Sequence, residues 1–224
     1  MNLGYFGGTF DPIHRGHIAV ARAAARYCKL QQVLFVPTDV PSHKYDINIT
    51  PFIHRYAMAA LALAEAREKN FTPSLLEAPI EGAGPRYSLD TIRRLKHTLN
   101  AEDRLFFIIG VDAFLDIAKW HQPEELLREC EFVVASRPGY THSLSDIAAA
   151  LPGSIRSQAQ ARGNKLTLPG VTIHFVARVA SPVSATAVRA ALAQPRPRRD
   201  QKLRTMLPRS VADYIRKMHL YEVE

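Results

Sequence analysis

Short runs of apolar, β-branched and aromatic residues recur along the chain, and longer stretches with helical periodicity lie between them. Such runs, bounded by Gly, Pro, Asn or Asp, are typical of strands that are covered on both faces. The pattern predicts strands over residues 3–6, 33–36, 74–77, 105–109, 132–135 and 171–176.

Helical patterns fill the intervals between these strands. The start signal at Thr50 and Pro51 is well matched, with Thr50 as the N-cap and Pro51 at the first helical position. This alternation predicts an α/β fold with a doubly wound, mostly parallel sheet and helices on both faces. We expect a single domain over residues 1–224, with a small helical part from about residue 182 to the end. Helices are predicted over residues 16–27, 50–69, 123–129, 184–193 and 209–218, and after an N-cap at Ser88.

Composition narrows the class of protein only slightly. The chain has 224 residues, 47% of them hydrophobic, which is ample for a core. Its two cysteines, Cys28 and Cys130, match no metal-binding or redox spacing. No signal peptide and no membrane-spanning run is apparent, so we expect a cytoplasmic protein without a membrane partner.

The formal net charge of +8 fits either a nucleic-acid partner or an enzyme that attracts polyanionic substrates. Much of the excess lies in residues 196–204, which we interpret as a solvated loop. No aromatic residue is interleaved there, which disfavours binding of single-stranded nucleic acid. Residues 151–170 predict a helix followed by a mobile loop, and they indicate no role.

The most informative stretch is Gly-Gly-Thr-Phe-Asp-Pro-Ile-His-Arg-Gly-His at residues 7–17, directly after the first predicted strand. The glycine pair Gly7-Gly8 permits positive φ and a close approach of phosphate to main-chain amides. His14 and His17 lie three residues apart, on one face of a helix start, where both imidazoles can donate to phosphate oxygens. A core position is the alternative for either histidine alone. The sequence offers no third potential ligand near the two histidines, which disfavours a metal site.

Other polar residues follow predicted strands or open predicted helices. Gly110-Val111-Asp112 and Ser136-Arg137-Pro138 directly follow strands, so both are expected at the same sheet edge as the glycine pair. Asp112 suits a ribose diol, or caps the next helix. Ser184 is a predicted N-cap that leaves Thr186 and Arg189 in the first turn, either as a second phosphate cradle or as a plain surface cap.

The chain is similar to the HxGH nucleotidyltransferases, and within them it most resembles the bacterial nicotinate-nucleotide adenylyltransferase family. The resemblance spans nearly the whole chain. Ser42 and Ala185 depart from the family pattern, which has proline and serine there. The motifs that carry it are residues 7–17, Pro37–Lys44, Arg86–Thr91, Ile108–Ala113, Trp120-His121, Val183–Arg189 and the ending 207–221.

The resemblance implies a Rossmann-like nucleotidyltransferase fold and a transfer of adenylate from ATP to nicotinate mononucleotide. His14, His17, Lys44 and Arg189 would be catalytic. Mg²⁺ would be held mainly by the ATP phosphates. ATP would be bound by Gly7, Gly8, Thr9, Phe10, His14, His17, Gly110, Asp112, Ser184, Thr186 and Arg189. Nicotinate mononucleotide would be bound by His43, Lys44, Tyr87, Ser88, Asp112, Trp120 and His121.

Alternatives remain open at this point. Trp120 would stack on the pyridine ring, or it packs in the core. Lys44 would hold a substrate phosphate, or it is merely solvated. The related phosphopantetheine adenylyltransferases share the glycine turn but carry Thr-x-Gly-His where this chain has His14-Arg15-Gly16-His17. A basic nucleic-acid-binding module is the other rival, although no groove-reading helix is apparent, so we expect no nucleic-acid partner. A homo-oligomer is left open.

Overall fold

The structure is a computed structural model that describes residues 1–39, 49–82, 86–136, 142–177, 179, 181, 183–195 and 198–221. Within these residues one sheet has eight strands in the order β3-β2-β1-β4-β5-β8-β7-β6. The first six in this order run parallel to one another, and the last two are antiparallel. The strands are β1 (Asn2–Gly8), β2 (Gln32–Pro37), β3 (Phe71–Pro73), β4 (Arg104–Gly110), β5 (Glu131–Ala135), β6 (Gln160–Arg162), β7 (Lys165–Leu168) and β8 (Val171–Val176).

Helices cover both faces of this sheet, which confirms the predicted doubly wound, mostly parallel architecture. No helix within the described ranges is both long and apolar enough to cross a bilayer. The helices are α1 (Arg15–Cys28), α2 (Phe52–Ala66), α3 (Ser88–Lys96), α4 (Val111–Phe114), α5 (Pro123–Glu129), α6 (Leu144–Ala149), α7 (Gly153–Arg156), α8 (Ala185–Leu192), α9 (Arg198–Met206) and α10 (Arg209–Lys217), with a 3-10 turn at Ile117–Lys119.

Alternate residues of the central strands belong to two different cores. Phe106 and Ile108 of β4 pack in the cluster that includes residues of α1, α2, α8, α9 and α10. Phe107 and Ile109 pack in the opposite cluster with residues of α3 to α7. Because successive side chains of a strand point to opposite faces, a run that is apolar throughout is buried on both sides. This explains why the continuous apolar runs predicted the central strands correctly.

The strand order reverses between β1 and β4. From β1 the chain proceeds outward through β2 and β3, whereas β4 is followed outward by β5 and β8. Gly8 pairs with Pro37 at the end of β2, and Gly110 pairs with Ala135 at the end of β5. The carboxyl ends of β1 and β4 therefore form a topological switch point, the usual ligand-binding crevice of open α/β sheets.

The glycine pair does not use the positive φ that glycine permits. Gly7 and Gly8 are the last residues of β1, and neither is among the described glycines with positive φ. The turn begins afterwards, and Phe10 is the residue with positive φ, at 49°. Glycine is needed at position 7 for a steric reason, since a Cβ on Gly7 would lie 2.8 Å from the hydroxyl of Tyr5.

Three further local predictions were wrong by small shifts. The cap residue of α2 is Pro51 rather than Thr50, and that of α3 is Tyr87 rather than Ser88. β3 lies at Phe71–Pro73 and not at residues 74–77. The ψ of Pro51 is 144°, outside the helical range, so Pro51 stands at the cap position, and its carbonyl oxygen accepts the first hydrogen bonds of the helix, from the N–H groups of His54 and Arg55.

Two longer segments also differ from the predictions. Residues 151–170 contain α7 and the antiparallel strands β6 and β7, which extend the sheet beyond β8, so the predicted mobile loop was wrong. In β7, Leu166 and Leu168 are buried while Lys165 and Thr167 are exposed, which is the alternation of a strand with one covered face. Of the basic stretch, residues 198–204 belong to α9 rather than to a loop, and residues 196 and 197 lie outside the described residues.

Candidate active site

A cavity of about 380 Å³ lies at the switch point, which we call the histidine cleft. The ends of β1, β4 and β5 form its floor, and the starts of α1, α4 and α8 form its walls. Every residue that the resemblance assigns to ATP lines it. These residues are Gly7, Gly8, Thr9, Phe10, His14, His17, Gly110, Asp112, Ser184, Thr186 and Arg189.

The two histidines hold each other in place at the start of α1. His14 is the N-cap and is 3% exposed, and its main-chain N–H donates to Nδ1 of His17 at 3.1 Å. The two rings stack with centroids 3.7 Å apart and an angle of 21° between planes. His17 thereby takes the N3 place of a capping box, where a glutamate or glutamine is usual. The pair adds imidazoles to the positive end of the helix dipole.

A glycine brings the other wall of the cleft close to this helix start. A Cβ on Gly16 would lie 2.8 Å from the carbonyl oxygen of Val183, which is too close for any real contact. Val183 directly precedes Ser184, whose hydroxyl accepts from the N–H of Ala187 at 3.1 Å. The predicted N-cap role of Ser184 is confirmed. Two helix starts, α1 and α8, therefore face one cavity.

Arg189 reaches from α8 to the loop before α1. Its Nη1 donates to the carbonyl oxygen of Asp11 at 2.6 Å. The carboxylate of Asp11 accepts from the hydroxyl of Tyr221, near the end of the described chain. Burial raises the pKa of Tyr221, and the nearby Asp11 carboxylate adds to the effect, so this hydroxyl stays a donor. Sequence analysis missed Asp11 and Tyr221 as residues that position the site.

Asp112 lies in the first turn of α4, is exposed, and lines the histidine cleft. The alternative role of capping this helix was wrong, because Gly110 is the N-cap residue. Thr186 is exposed in the first turn of α8 at the same cavity.

A second cavity, of about 660 Å³, adjoins the first, and we call it the aromatic cleft. Tyr87, Ser88, Trp120 and His121 of the predicted mononucleotide set line it. The rings of Tyr87 and His121 stack with their centroids 3.9 Å apart. Trp120 is half-buried, and its ring centroid lies 6.1 Å from that of Phe107. Trp120 thus both packs on the core and borders the cleft.

A buried carboxyl group lies at the back of the aromatic cleft. Glu77 is 3% exposed and accepts from the hydroxyl of Tyr5 at 2.6 Å. Burial raises the pKa of Glu77, while hydrogen bonds from Tyr5 and Thr91 and the charges of Arg86 and Arg94 oppose that rise. Sequence analysis placed residue 77 at the end of a predicted strand and gave Glu77 no role, whereas in the structure Glu77 lies beyond β3 in an irregular segment.

The two clefts share a wall. Gly7, Gly8, Thr9 and Ala113 border both cavities. Two ligands bound in these clefts would therefore meet across the end of β1, where the absence of glycine side chains leaves the backbone accessible.

His43 and Lys44, assigned to a substrate phosphate, lie outside the described residues, as does Ser42. In the part of the chain that the structure describes, no group of three or more His, Cys, Asp or Glu could hold a metal ion.

Sequence analysis also missed Arg55, which is wholly buried on α2. A signal was available, because Arg55 falls on the same helical stripe as the apolar residues Met58, Ala59 and Ala62. A charged residue on a stripe that faces the core needs internal hydrogen bonds.

Comparisons with known proteins show the fold and the family of this chain. The sequence profile of the family described as cytidylyltransferase-like matches residues 5–191, which include the walls of both clefts. In fold, the chain is similar to a nicotinic acid mononucleotide adenylyltransferase of Plasmodium falciparum, solved in complex with NaAD. The TM-score is 0.72 with 18% sequence identity, over 98% of this chain and 97% of that one.

Curated relatives are similar over almost the full length. A "Probable nicotinate-nucleotide adenylyltransferase" of Thermoanaerobacter sp. is 36% identical over 99% of this chain and 95% of its own. A relative of the same description from Moorella thermoacetica is 34% identical over 98% of this chain and 91% of its own. The chain therefore belongs to the cytidylyltransferase-like family and, within it, to the nicotinate-nucleotide adenylyltransferases.

Proposed function

We propose that the protein joins ATP and nicotinate mononucleotide to give deamido-NAD and pyrophosphate, a step of NAD biosynthesis. The observation that carries this proposal is the pair of clefts with a shared wall at the switch point. The histidine cleft offers helix starts and imidazoles to a triphosphate, and the aromatic cleft offers rings to a flat heterocycle. The full-length relatives with this activity in their names support the same pair of substrates.

In this reaction the 5′-phosphate of nicotinate mononucleotide attacks the α-phosphorus of ATP in line. A new P–O bond forms as the bond to the β-phosphate oxygen breaks, and pyrophosphate leaves with the electron pair. The second pKa of a phosphate monoester is about 6, so the nucleophile is already mostly a dianion at pH 7. No general base and no covalent intermediate on the protein is required, so catalysis depends on positioning and on stabilising charge.

The residues of the histidine cleft divide this work. We assign His14 and His17 to the phosphate oxygens that gain charge in the transition state, and Thr186 and Arg189 to the β- and γ-phosphates. Gly8, Thr9 and Ser184 border the same space, and we assign Asp112 to accept a hydrogen bond from a ribose hydroxyl. Lys44 is assigned to the incoming phosphate on the sequence motif alone.

Mg²⁺ enters in this proposal with ATP, as the magnesium complex of the substrate. An ion of this kind keeps several waters and takes its other ligands largely from phosphate oxygens.

The test is pyrophosphate release by the purified protein with magnesium and ATP. Nicotinate mononucleotide, nicotinamide mononucleotide and phosphopantetheine are supplied in separate reactions. We expect a clear preference for nicotinate mononucleotide. Activity with phosphopantetheine alone would keep adenylyl transfer but overturn the assignment of the aromatic cleft. No release with any of the three would contradict the proposed function.

A further inference from the structure

One charged side chain lies wholly inside the protein, behind the wall that the two clefts share. Arg55 is 1% exposed and borders neither cavity. A buried cation is costly unless hydrogen bonds replace its hydration shell. The acceptors of the hydrogen bonds from Arg55 therefore indicate what this residue does.

Within the described residues, the guanidinium donates only to main-chain carbonyl oxygens. Nε donates to Thr50 at 2.7 Å, and Nη2 donates to Asp39 at 2.7 Å. Nη1 donates to both Thr9 and Thr38, at 2.9 and 2.6 Å. One side chain thus connects three stretches of backbone: the turn after β1, the end of β2 and the residues before α2.

Arg55 connects the turn after β1 to the end of β2 just beyond their last main-chain hydrogen bond. Thr38 donates its N–H to the carbonyl oxygen of Gly8 at 2.9 Å. In the described residues this is the last main-chain hydrogen bond between the two segments as they leave the sheet. Immediately beyond it, Nη1 of Arg55 bridges the carbonyls of Thr9 and Thr38. The guanidinium therefore continues the pairing of β1 and β2 by one more step.

The bridged residues are themselves the lining of the site. Thr9 borders both clefts, while Thr38 and Asp39 border the aromatic cleft. Burial lowers the pKa of Arg55, but the carboxylates of Asp11 and Asp39 oppose this, and a guanidinium remains charged in proteins. Its planar set of five donors has no equivalent in lysine, whose ammonium has three donors on a flexible stem.

We propose that Arg55 is a positioning residue, which sets the separation of the two clefts by fixing the shared wall at Thr9 against the end of β2. Its kinetic consequence rests on the proposed function, but its structural consequence does not. A displaced wall would separate the attacking phosphate from the α-phosphorus, and misplacement of this kind costs far more in rate than in binding.

The test compares Arg55→Lys and Arg55→Ala with Met58→Ala. Met58 is equally buried one turn further along α2 and borders neither cleft, so its loss leaves a cavity without touching the wall. For Arg55→Lys we expect kcat/KM to fall about tenfold or more for both substrates, with most of the loss in kcat. Met58→Ala should lower the melting temperature while its kcat and both KM values, per folded molecule, stay within about threefold of the parent.

Two further readouts separate positioning from stability. Millimolar guanidinium chloride should restore part of the activity of Arg55→Ala, whereas the same concentration of sodium chloride should not. Hydrogen exchange should be faster in Arg55→Lys than in the parent for peptides covering residues 8–12 and 37–39, and Met58→Ala should not show this local increase. If Arg55→Ala does not fold, the comparison of Arg55→Lys with Met58→Ala still tests the proposal.

Parental exchange rates in both peptides of Arg55→Lys would overturn the proposal. So would a loss of kcat that Met58→Ala matches at equal stability. If the parent itself shows no turnover, the proposed function fails, and the exchange comparison still decides whether Arg55 holds the wall.

Discussion

The two clefts adjoin each other but are built on different principles. The histidine cleft takes its polar groups from helix starts and main chain, contributed by three segments far apart in the sequence, residues 7–17, 110–113 and 183–189. The aromatic cleft takes rings and a buried carboxyl from residues between 77 and 126, with residues 38 and 39. The first suits phosphate, which every nucleotide carries, and the second suits one particular heterocycle. Chemistry and selectivity are thus assigned to separate walls of one crevice.

Substitutions that separate rate from selectivity are the way to test this division. Removing a group from the histidine cleft should lower turnover with every acceptor. Removing a group from the aromatic cleft should change the KM of the mononucleotide and leave that of ATP nearly unchanged.

The largest effect is expected for His17→Ala. Losing one preorganised donor to a developing oxyanion costs about 3 kcal/mol, or about a hundredfold in kcat. Steady-state pyrophosphate release measures it, and circular dichroism checks that the variant is folded. His97→Ala, an exposed histidine after α3, is the control and should keep parental turnover. Turnover of His17→Ala within a few-fold of the parent would refute the role assigned to the histidine pair.

A smaller and more selective effect is expected for Trp120→Ala. Loss of a stacking ring costs about 1 kcal/mol, which corresponds to a rise of roughly fivefold in KM for nicotinate mononucleotide. The KM for ATP should stay within about twofold, since Trp120 does not border the histidine cleft. Trp120→Phe keeps an aromatic face and should behave nearly as the parent. An equal rise in both KM values would show that the clefts are not independent.

The smallest effect concerns stability and the buried carboxyl of the aromatic cleft. The pKa of Glu77 is raised above 4.5 chiefly by burial, so the folded state holds this proton more tightly than the unfolded state. The resulting stabilisation is complete below pH 4.5 and is lost as pH rises through the folded pKa, by about 1.4 kcal/mol per pKa unit.

Glu77→Gln cannot ionise and should lack this dependence. The parent should therefore be favoured over the variant most strongly at low pH, with the difference shrinking as pH rises. Urea unfolding of both proteins between pH 4 and 8 measures the free energies. A difference that grows with pH would mean that Arg86 and Arg94 outweigh burial and hold the group as a carboxylate.

Sequence reasoning was most successful where one physical cause acted alone. The continuous apolar runs of β4, β5 and β8 identified central strands because both faces of those strands are covered. Ser184 was identified as a cap because its hydroxyl serves the adjacent helix. Sequence reasoning failed at residues 151–170 and 198–206, where short polar elements become ordered by packing against the edge of the sheet or against α8. Local composition there is that of a loop, and only the contacts decide otherwise.

The sequence by itself determined the strand–helix alternation, the sheet edge that carries the polar groups, and the family to which those groups belong. All three follow from local patterns, because burial on two faces and helix capping depend on the identities of a few neighbouring residues. Only the tertiary structure decided that α8 approaches α1 closely enough to require Gly16, that Tyr221 reaches Asp11, and that Arg55 joins three stretches of backbone. Each of these contacts links residues distant in sequence. A hydrogen bond to a main-chain carbonyl cannot be predicted from the residue that accepts it, because every residue type has such a carbonyl.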